Sequence, residues 1–399
     1  MNLTPPPLSL YVHVPWCVQK CPYCDFNSHA LKGEIPQAEY IDALLEDLAQ
    51  DRARYLADDN RPLHSIFIGG GTPSLIAPAQ IARLLQGIQA QIPFAEDIEI
   101  TMEANPGTLE SAPILQYRQA GITRLSLGVQ SFANDKLNLL GRIHQSDEAK
   151  VAIEQALKAG FNSVNVDLMH GLPSQTPAQA LSDLDQLIAL KPPHVSWYQL
   201  TIEPNTLFAS KPPVLPDDDD LWDIYELGQK KLEAAGYQRY ETSGFSQPGY
   251  QCKHNLNYWR FGDYLGIGCG AHGKISHADG AITRTVKVKH PKGYLDSGRD
   301  YLSQEIPVPV SERPFEFMMN RLRLIEPCPH RDYSERTGLN DDTIAVQLNQ
   351  AKALGYIVDV TDSTGVDCWQ VTDKGALFLN DLLELFLADE DDVDADSER

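Results

Sequence analysis

Cys17-Val18-Gln19-Lys20-Cys21-Pro22-Tyr23-Cys24-Asp25-Phe26 sets three thiols in a CxxxCxxC spacing directly after the apolar run Leu8-Ser9-Leu10-Tyr11-Val12-His13-Val14. A disulfide reading leaves one of the three over, and the other four cysteines stand singly along the chain. Metal binding accounts for the spacing better. Structural zinc closes its tetrahedron with four ligands, so zinc here needs a fourth, for which His13 or His29 could serve. An iron–sulfur cluster held by three thiolates instead leaves one iron open, and an open iron is a place for chemistry.

Outward from the cysteines, the chain alternates strand and helix. Pro36 suits a first helical turn, and Tyr40, Leu44, Leu45 and Leu48 recur on one face of a helix that reaches about residue 55. Residues 65–68 are a short apolar strand running into Gly69-Gly70-Gly71-Thr72-Pro73-Ser74, followed by a helix over 78–92. The unit repeats with strands at 98–102, 124–129, 163–166 and 194–200 and helices at 109–120, up to residue 160, and at 177–190. Six strands alternating with helices predict a parallel sheet with helices outside it, closed part of the way round as a partial (β/α)6 barrel. Glu103, Gln130 and Asp167 each stand at the C-terminal end of a strand, the rim where parallel α/β proteins bind ligands. Taken singly, any of them is as easily a helix cap or a loop hydrogen-bond partner.

The 399 residues, 42% of them hydrophobic, are enough for a large core and two or three domains. The expected organisation is a barrel with its N-terminal cysteine loop over 1–245, an irregular sheet extension over 246–310, a winged-helix-like domain over 311–387 and a disordered acidic tail over 388–399. Within it, Asp217-Asp218-Asp219-Asp220 reads as a turn-rich connection before a helix over 221–235, and 240–245 as a strand. The last domain is read as helices at 314–324, 341–354 and 376–387 around a hairpin of 356–361 and 368–371. Winged helices often bind DNA, but Asp341, Asp342, Asp359, Asp362 and Asp367 face that role with the wrong charge, which favours covering the barrel or docking a partner. The formal net charge is −22, and the field it makes repels phosphate backbones, so no nucleic-acid partner is expected. No apolar run approaches the ~20 residues that cross a bilayer. The start, Met1-Asn2-Leu3-Thr4-Pro5-Pro6-Pro7, has no cleavable leader pattern. The expected location is the cytoplasm, in keeping with reduced thiols.

Gly69-Gly70-Gly71-Thr72 lacks both the lysine of a P-loop and the spacing of a dinucleotide fingerprint. Consecutive glycines do let a ligand lie against bare backbone, whose unpaired N–H and C=O groups can take its amino and carboxylate ends. The cysteine and glycine loops are joined by Glu103-Ala104-Asn105-Pro106, Gly128-Val129-Gln130-Ser131-Phe132, Arg142 and Asp167-Leu168-Met169-His170-Gly171-Leu172-Pro173. With these the sequence resembles the radical S-adenosylmethionine (radical SAM) proteins. Within them it resembles the family of oxygen-independent coproporphyrinogen III oxidase and its relatives, over almost its full length and in the same order.

That resemblance implies a radical-SAM barrel in which Cys17, Cys21 and Cys24 bind a 4Fe-4S cluster. Tyr11, Tyr23, Gly70, Gly71, Thr72, Glu103, Gln130, Arg142 and Asp167 would line the S-adenosylmethionine site. It further implies one-electron cleavage of the sulfonium to a deoxyadenosyl radical, fed by an electron donor. The oxidase carries a further cysteine two residues after the third, where this chain has Phe26, and the haem chaperone branch of the family has phenylalanine there. His254-Asn255-Leu256-Asn257-Tyr258-Trp259 likewise resembles that branch's HNxxYW motif. The implied function is a haem chaperone with haem held through His254, with Cys252, His13, His272 and His277 as rival ligands and Tyr258 and Trp259 as flat surfaces for a porphyrin. Its partners would be haem-recipient proteins such as respiratory enzymes or cytochromes, with room for a homodimer and for contact with a membrane surface through partners. The alternative is the oxidase itself, which removes carbon dioxide from propionate side chains.

Overall fold

All six expected strands form, as β1 (Leu8–Val14), β2 (Leu63–Gly70), β3 (Phe94–Ala104), β4 (Arg124–Gln130), β5 (Ser163–His170) and β6 (His194–Gln199). Between them run α1 (Gln37–Tyr55), α2 (Pro78–Gln91), α3 (Ile114–Ala120), α4 (Ser146–Lys158) and α5 (Pro177–Leu190). The computed structural model describes residues 3–109 and 114–387; the start of the helix expected over 109–120 and the acidic tail over 388–399 lie outside the described residues. β1 to β6 are parallel neighbours in chain order.

The strands follow a period of two, broken in β2 by an irregularity between Leu63 and Ser65. In β4, Leu125, Leu127 and Val129 join the helix-side core, and Arg124, Ser126 and Gly128 face the other way. β5 splits Val164, Val166 and Leu168 from Ser163, Asn165 and Asp167 in the same manner. Parallel strands covered on both faces usually read as unbroken apolar runs. The alternation here means that the concave face of the sheet encloses a polar lumen, and the apolar core lies between the strands and the outer helices. Tyr40, Ile41, Leu44 and Leu48 of α1 are buried against that outer face, as the spacing of three and four predicts.

The sheet does not end at β1. A further strand, β7 (Asp263–Gly268), pairs parallel with β1 on the side away from β2, from Leu8 opposite Asp263 to His13 opposite Gly268. β8 (His272–Ser276), β9 (Ile282–Lys287) and β10 (Leu302–Pro307) then continue the sheet antiparallel. Between β6 and β7 the chain forms α6 (Asp218–Ala234) and the seven-residue α7 (Lys253–Trp259). Asp217, read as part of a turn, is in fact the N-cap of α6, and its side chain accepts the backbone N–H of Asp220. Asp218, Asp219 and Asp220 fill the first turn, where carboxylates complement the helix dipole. The single strand expected over 240–245 is two short ones, Gln238–Arg239 and Gly244–Ser246, paired antiparallel at the β6 edge. The helix α7 also replaces the purely strand-like reading of 246–310.

The C-terminal residues form α8 (Arg313–Arg321), α9 (His330–Thr337), α10 (Ala345–Ala353) and a hairpin of β11 (Ile357–Thr361) with β12 (Asp367–Val371), to which Cys328–Pro329 adds a third strand. Three helices and a small antiparallel sheet are the winged-helix arrangement. α9, His-Arg-Asp-Tyr-Ser-Glu-Arg-Thr, has no apolar stripe to announce it and buries only Tyr333 and Thr337. The closing helix expected over 376–387 is broken into Asp373–Leu377 and Leu379–Glu384. This domain shares one core with Phe261 and Ile282, so it packs on the sheet extension.

Candidate functional site

The cysteine loop lies across the C-terminal ends of the strands and the lumen opens beneath it as a cavity of about 600 Å³. Cys17, Cys21 and Cys24 are free thiols, half-buried, and all three line the cavity mouth. Burial raises the Cys17 and Cys24 thiols above their ordinary range, so each must give up its proton to become a ligand. His13 offers no nitrogen to a metal. Its Nε2 donates to the Asn27 carbonyl at 2.9 Å, which leaves Nδ1 to accept the Tyr11 hydroxyl at 2.9 Å. Among the described residues no three His, Cys, Asp or Glu side chains converge as one tetrahedral ion would need.

The glycine loop follows β2 and is zipped to the segment that precedes the cysteines. Gly71 and Thr72 donate their N–H groups to the carbonyls of Val14 and Trp16, each at 2.7 Å, and Gly70 donates to Glu103 Oε2 at 3.1 Å. The expectation that unpaired N–H groups here take a ligand is therefore corrected, because all three are satisfied within the chain. What the glycines do provide is closeness: a Cβ on Gly71 would stand 2.5 Å from the Trp16 carbonyl oxygen, and Gly70 has a φ of +109°.

Glu103, Gln130 and Asp167, on the neighbouring strands β3, β4 and β5, line the same cavity. Glu103 and Gln130 stand at their strand ends. Asp167, expected at the end of a strand that stops at 166, lies inside β5, whose pairing with β6 carries it on to His170. Burial, and after it the neighbouring Asp167 carboxylate, push the Glu103 carboxyl up to about 8. Burial raises Asp167 too, against Asn165, which donates to Asp167 Oδ1 at 2.7 Å, and Ser126, which donates to Oδ2 at 3.3 Å. Gln130 Oε1 accepts the Tyr198 hydroxyl at 2.8 Å. Arg142 donates to Cys21 Sγ at 3.6 Å and to the Gly128 carbonyl, and its buried Nε has no partner. Tyr23 and Thr72 also line the cavity. Tyr11 is not on its wall, and lies behind it between His13 and Phe67.

Below the rim the polar lumen continues as a bonded chain. Asn165 Oδ1 accepts His194 Nδ1–H at 2.6 Å, and His194 Nε2 accepts the Tyr240 hydroxyl at 2.8 Å. Sequence reasoning missed Asn165, Ser126, Ser196 and Tyr198, although the period of two in β4 to β6 carries the signal.

The helix α7 packs on β2 and β3, where His254 meets Ser65 and donates its backbone N–H to Glu99 at 3.2 Å. It turns Asn255 and Trp259, four residues apart, toward the cavity. His254, beside them in sequence, points elsewhere and is 1% exposed. Its Nδ1 shares a 2.9 Å hydrogen bond with Ser65 Oγ, its ring stacks on Phe67 and meets Tyr258 edge-on, and Nε2 is buried without a partner. Burial, helped by the Arg124 guanidinium, pushes the imidazole down to about 3 and keeps it neutral. Of the rival ligands, Cys252 is buried and donates to Glu99, His272 is on the surface, and His277 shares a hydrogen bond with Thr283.

Residues 11–187 match the Radical SAM superfamily and residues 308–378 match the HemN C-terminal domain. The chain is 58% identical to "Heme chaperone HemW" of Escherichia coli (strain K12) over 384 residues, covering 96% of this chain and 99% of that one. It is 58% identical to "Heme chaperone HemW" of Haemophilus influenzae over 386 residues and 32% identical to that of Bacillus subtilis over 390, each covering 96% of this chain and 99% of the relative. Among solved structures it is similar to coproporphyrinogen III oxidase (HemN) from Escherichia coli, with a TM-score of 0.77 and 25% identity over 96% of this chain and 90% of that one. No helix among the described residues is long and apolar enough to cross a membrane.

Proposed function

Because this chain belongs to the heme chaperone HemW family within the radical SAM superfamily, we propose that it binds haem beside a 4Fe-4S cluster and S-adenosylmethionine and passes the haem to haem-dependent respiratory proteins. The observation that supports this reading most directly is the single cavity shared by two sets of residues. Three free thiols, Glu103 and Asp167 line it together with Asn255 and Trp259 of the HNxxYW helix.

Cys17, Cys21 and Cys24 would hold the cluster, which when bound supplies an electron to the sulfonium. Gly70, Gly71 and Thr72 let the methionine part lie against backbone, and Glu103, Gln130 and Asp167 offer acceptors to its amino group and ribose hydroxyls. Arg142 offers the counter-charge to a carboxylate, and Tyr23 closes the mouth. Tyr11 acts from behind, by fixing the His13 ring on which Gly70 rests. His254 is the residue proposed for haem iron, through its one free nitrogen, Nε2. Since that nitrogen is enclosed by Phe67 and Tyr258, ligation requires α7 to shift.

Titrating anaerobically reconstituted protein with haem tests the reading. A Soret shift in the wild type, altered in His254→Ala, is expected, together with iron and sulfide that are lost when Cys17, Cys21 and Cys24 are changed to Ser. No Soret shift in the wild type overturns it. Formation of protoporphyrinogen from coproporphyrinogen III by the reduced protein would show the oxidase in its place.

A further inference from the structure

At the end of the cavity away from the cysteines, one cation is left without a counter-ion. Arg323, just beyond the C-terminal end of α8, is one of two cationic side chains on the cavity wall among the described residues; the other, Arg142, is at the cysteine end. Arg323 Nε donates to the Met319 carbonyl at 3.2 Å, and among the described residues no hydrogen bond or ion pair engages its terminal nitrogens. Most cations of this acidic chain that approach the interior are paired, as Lys274 is with Asp263, Lys287 with Asp47 and Asp51, and Arg284 with Glu316. An unpaired one on a cavity wall is a place for an anion.

The guanidinium lies 5.0 Å from the centre of the Trp259 ring, and the indole Nε1 is itself buried with no hydrogen-bond partner. Asn255 adds a side-chain amide one turn back on the same helix face. A guanidinium, an amide and a flat ring therefore line one wall, with the indole N–H buried behind it. Glu241, on the same wall, is buried and accepts the Ser243 N–H at 3.3 Å. Burial raises its carboxyl and the Arg323 charge acts against that rise, but no ion pair joins the two among the described residues.

We propose that Arg323, Trp259 and Asn255 form a carboxylate subsite that holds a propionate of the bound porphyrin while Trp259 lies against its ring. This rests on the haem reading given above and goes further by saying which part of the ligand is read and by which residues. Planar two-point contact with a carboxylate is what a guanidinium does and an ammonium does not, so Arg323→Lys is a partial substitute only.

The test is a Soret titration of the full-length protein with haem and with haem dimethyl ester, in which both propionates are masked. Wild type should bind haem about tenfold tighter than the ester. Arg323→Met should lose that factor for haem and leave ester binding unchanged, with Arg323→Lys between the two. Trp259→Phe keeps a ring and removes the N–H, and should lose a smaller factor, again for haem over ester. Unchanged thermal midpoints exclude a folding effect. Equal affinity of wild type for haem and ester, or an equal loss of both in Arg323→Met, overturns the subsite and leaves the haem reading standing. A wild type that shows no Soret shift overturns both.

Discussion

Glu103 Oε2 accepts the backbone N–H of Gly70 at 3.1 Å, which ties the end of β3 to the glycine loop and leaves a carboxyl with a raised pKa, about 8, at the cavity wall. The group is therefore protonated in the ligand-free protein at pH 7. A ligand with an amino cation favours the carboxylate, so its binding releases a proton below pH 8 and tightens as pH rises toward that value. Calorimetry of S-adenosylmethionine binding at pH 7, in buffers of different ionisation enthalpy, should show this release in the wild type and not in Glu103→Gln. The same shift acts on folding. Between the ordinary 4.5 and about 8 the native state holds more protons than the unfolded chain, so this group's contribution to stability falls as pH rises through that window. In Glu103→Gln that part of the slope disappears; an unchanged slope would mean that Glu103 is not raised.

Gly71→Ala should fold and fail at the mouth. The added Cβ meets the Trp16 carbonyl oxygen at 2.5 Å, and backbone cannot yield as a flexible side chain does, so the segment entering Cys17 is displaced. A cost of about 1–3 kcal/mol and a several-fold fall in retained iron after anaerobic reconstitution are expected. Iron content equal to the wild type would show that the zipped glycine loop does not set the position of the cysteines.

Much of this was legible in the chain. The six strands, and the polar ends Glu103 and Gln130, follow from local patterns of apolar run, turn and helical period. Asp167, in contrast, lies inside β5, whose last residues the local pattern did not mark as strand. β7 was not foreseeable on that basis. Asp-Tyr-Leu-Gly-Ile-Gly is short and glycine-rich, and its partner β1 is some 250 positions away, so its pairing is decided by the open edge of the sheet and not by its own residues. Arg323 was invisible for a related reason, since it follows a helix of the C-terminal domain and reaches the cavity only because that domain packs on the extension. Asn165 and Ser126 are a different case, for they alternate in the sequence with Val164, Val166, Leu125 and Leu127, and a polar lumen is the direct meaning of that alternation.

Lys287 on β9 is buried between Asp47 and Asp51 of α1, 2.6 Å from each, and Tyr294 donates to Asp47 at 2.6 Å. Lys287→Met strands two carboxylates in the interior at a cost of about 3–5 kcal/mol near neutral pH. Burial already pushes the Asp51 carboxyl up to about 6 with the lysine present, so below that value it takes a proton. The native state then holds the extra proton, and its stability contribution declines as pH rises from the ordinary 3.8 through about 6; without Lys287 the window extends higher. Urea unfolding should show a smaller penalty for Lys287→Met at pH 5 than at pH 8, and a penalty independent of pH would contradict the assignment.

Asn165 is the junction of the lumen network, and its loss should be felt at both the rim and the floor. It donates to Asp167 at 2.7 Å and to Ser126 Oγ at 2.9 Å, and accepts from Ser196 at 3.1 Å and from His194 at 2.6 Å. Burial, with the Arg124 charge adding to it, holds His194 far below its usual pKa and keeps the ring neutral, so that Nδ1–H donates to Asn165 while Nε2 accepts the Tyr240 hydroxyl. Asn165→Ala leaves several buried groups without a partner, at about 1–3 kcal/mol each before water enters the space. It also frees the Asp167 carboxylate to turn, so affinity for S-adenosylmethionine should weaken about tenfold, equivalent to ~1.4 kcal/mol. His194→Phe breaks the chain one link lower, with Asn165 still bonded to Asp167. It should destabilise the fold by a similar amount while changing ligand affinity less than twofold, because the hydrogen bond that orients the rim is intact. Equal losses of affinity in the two variants would mean that the rim is held by the whole column of side chains and not by Asn165.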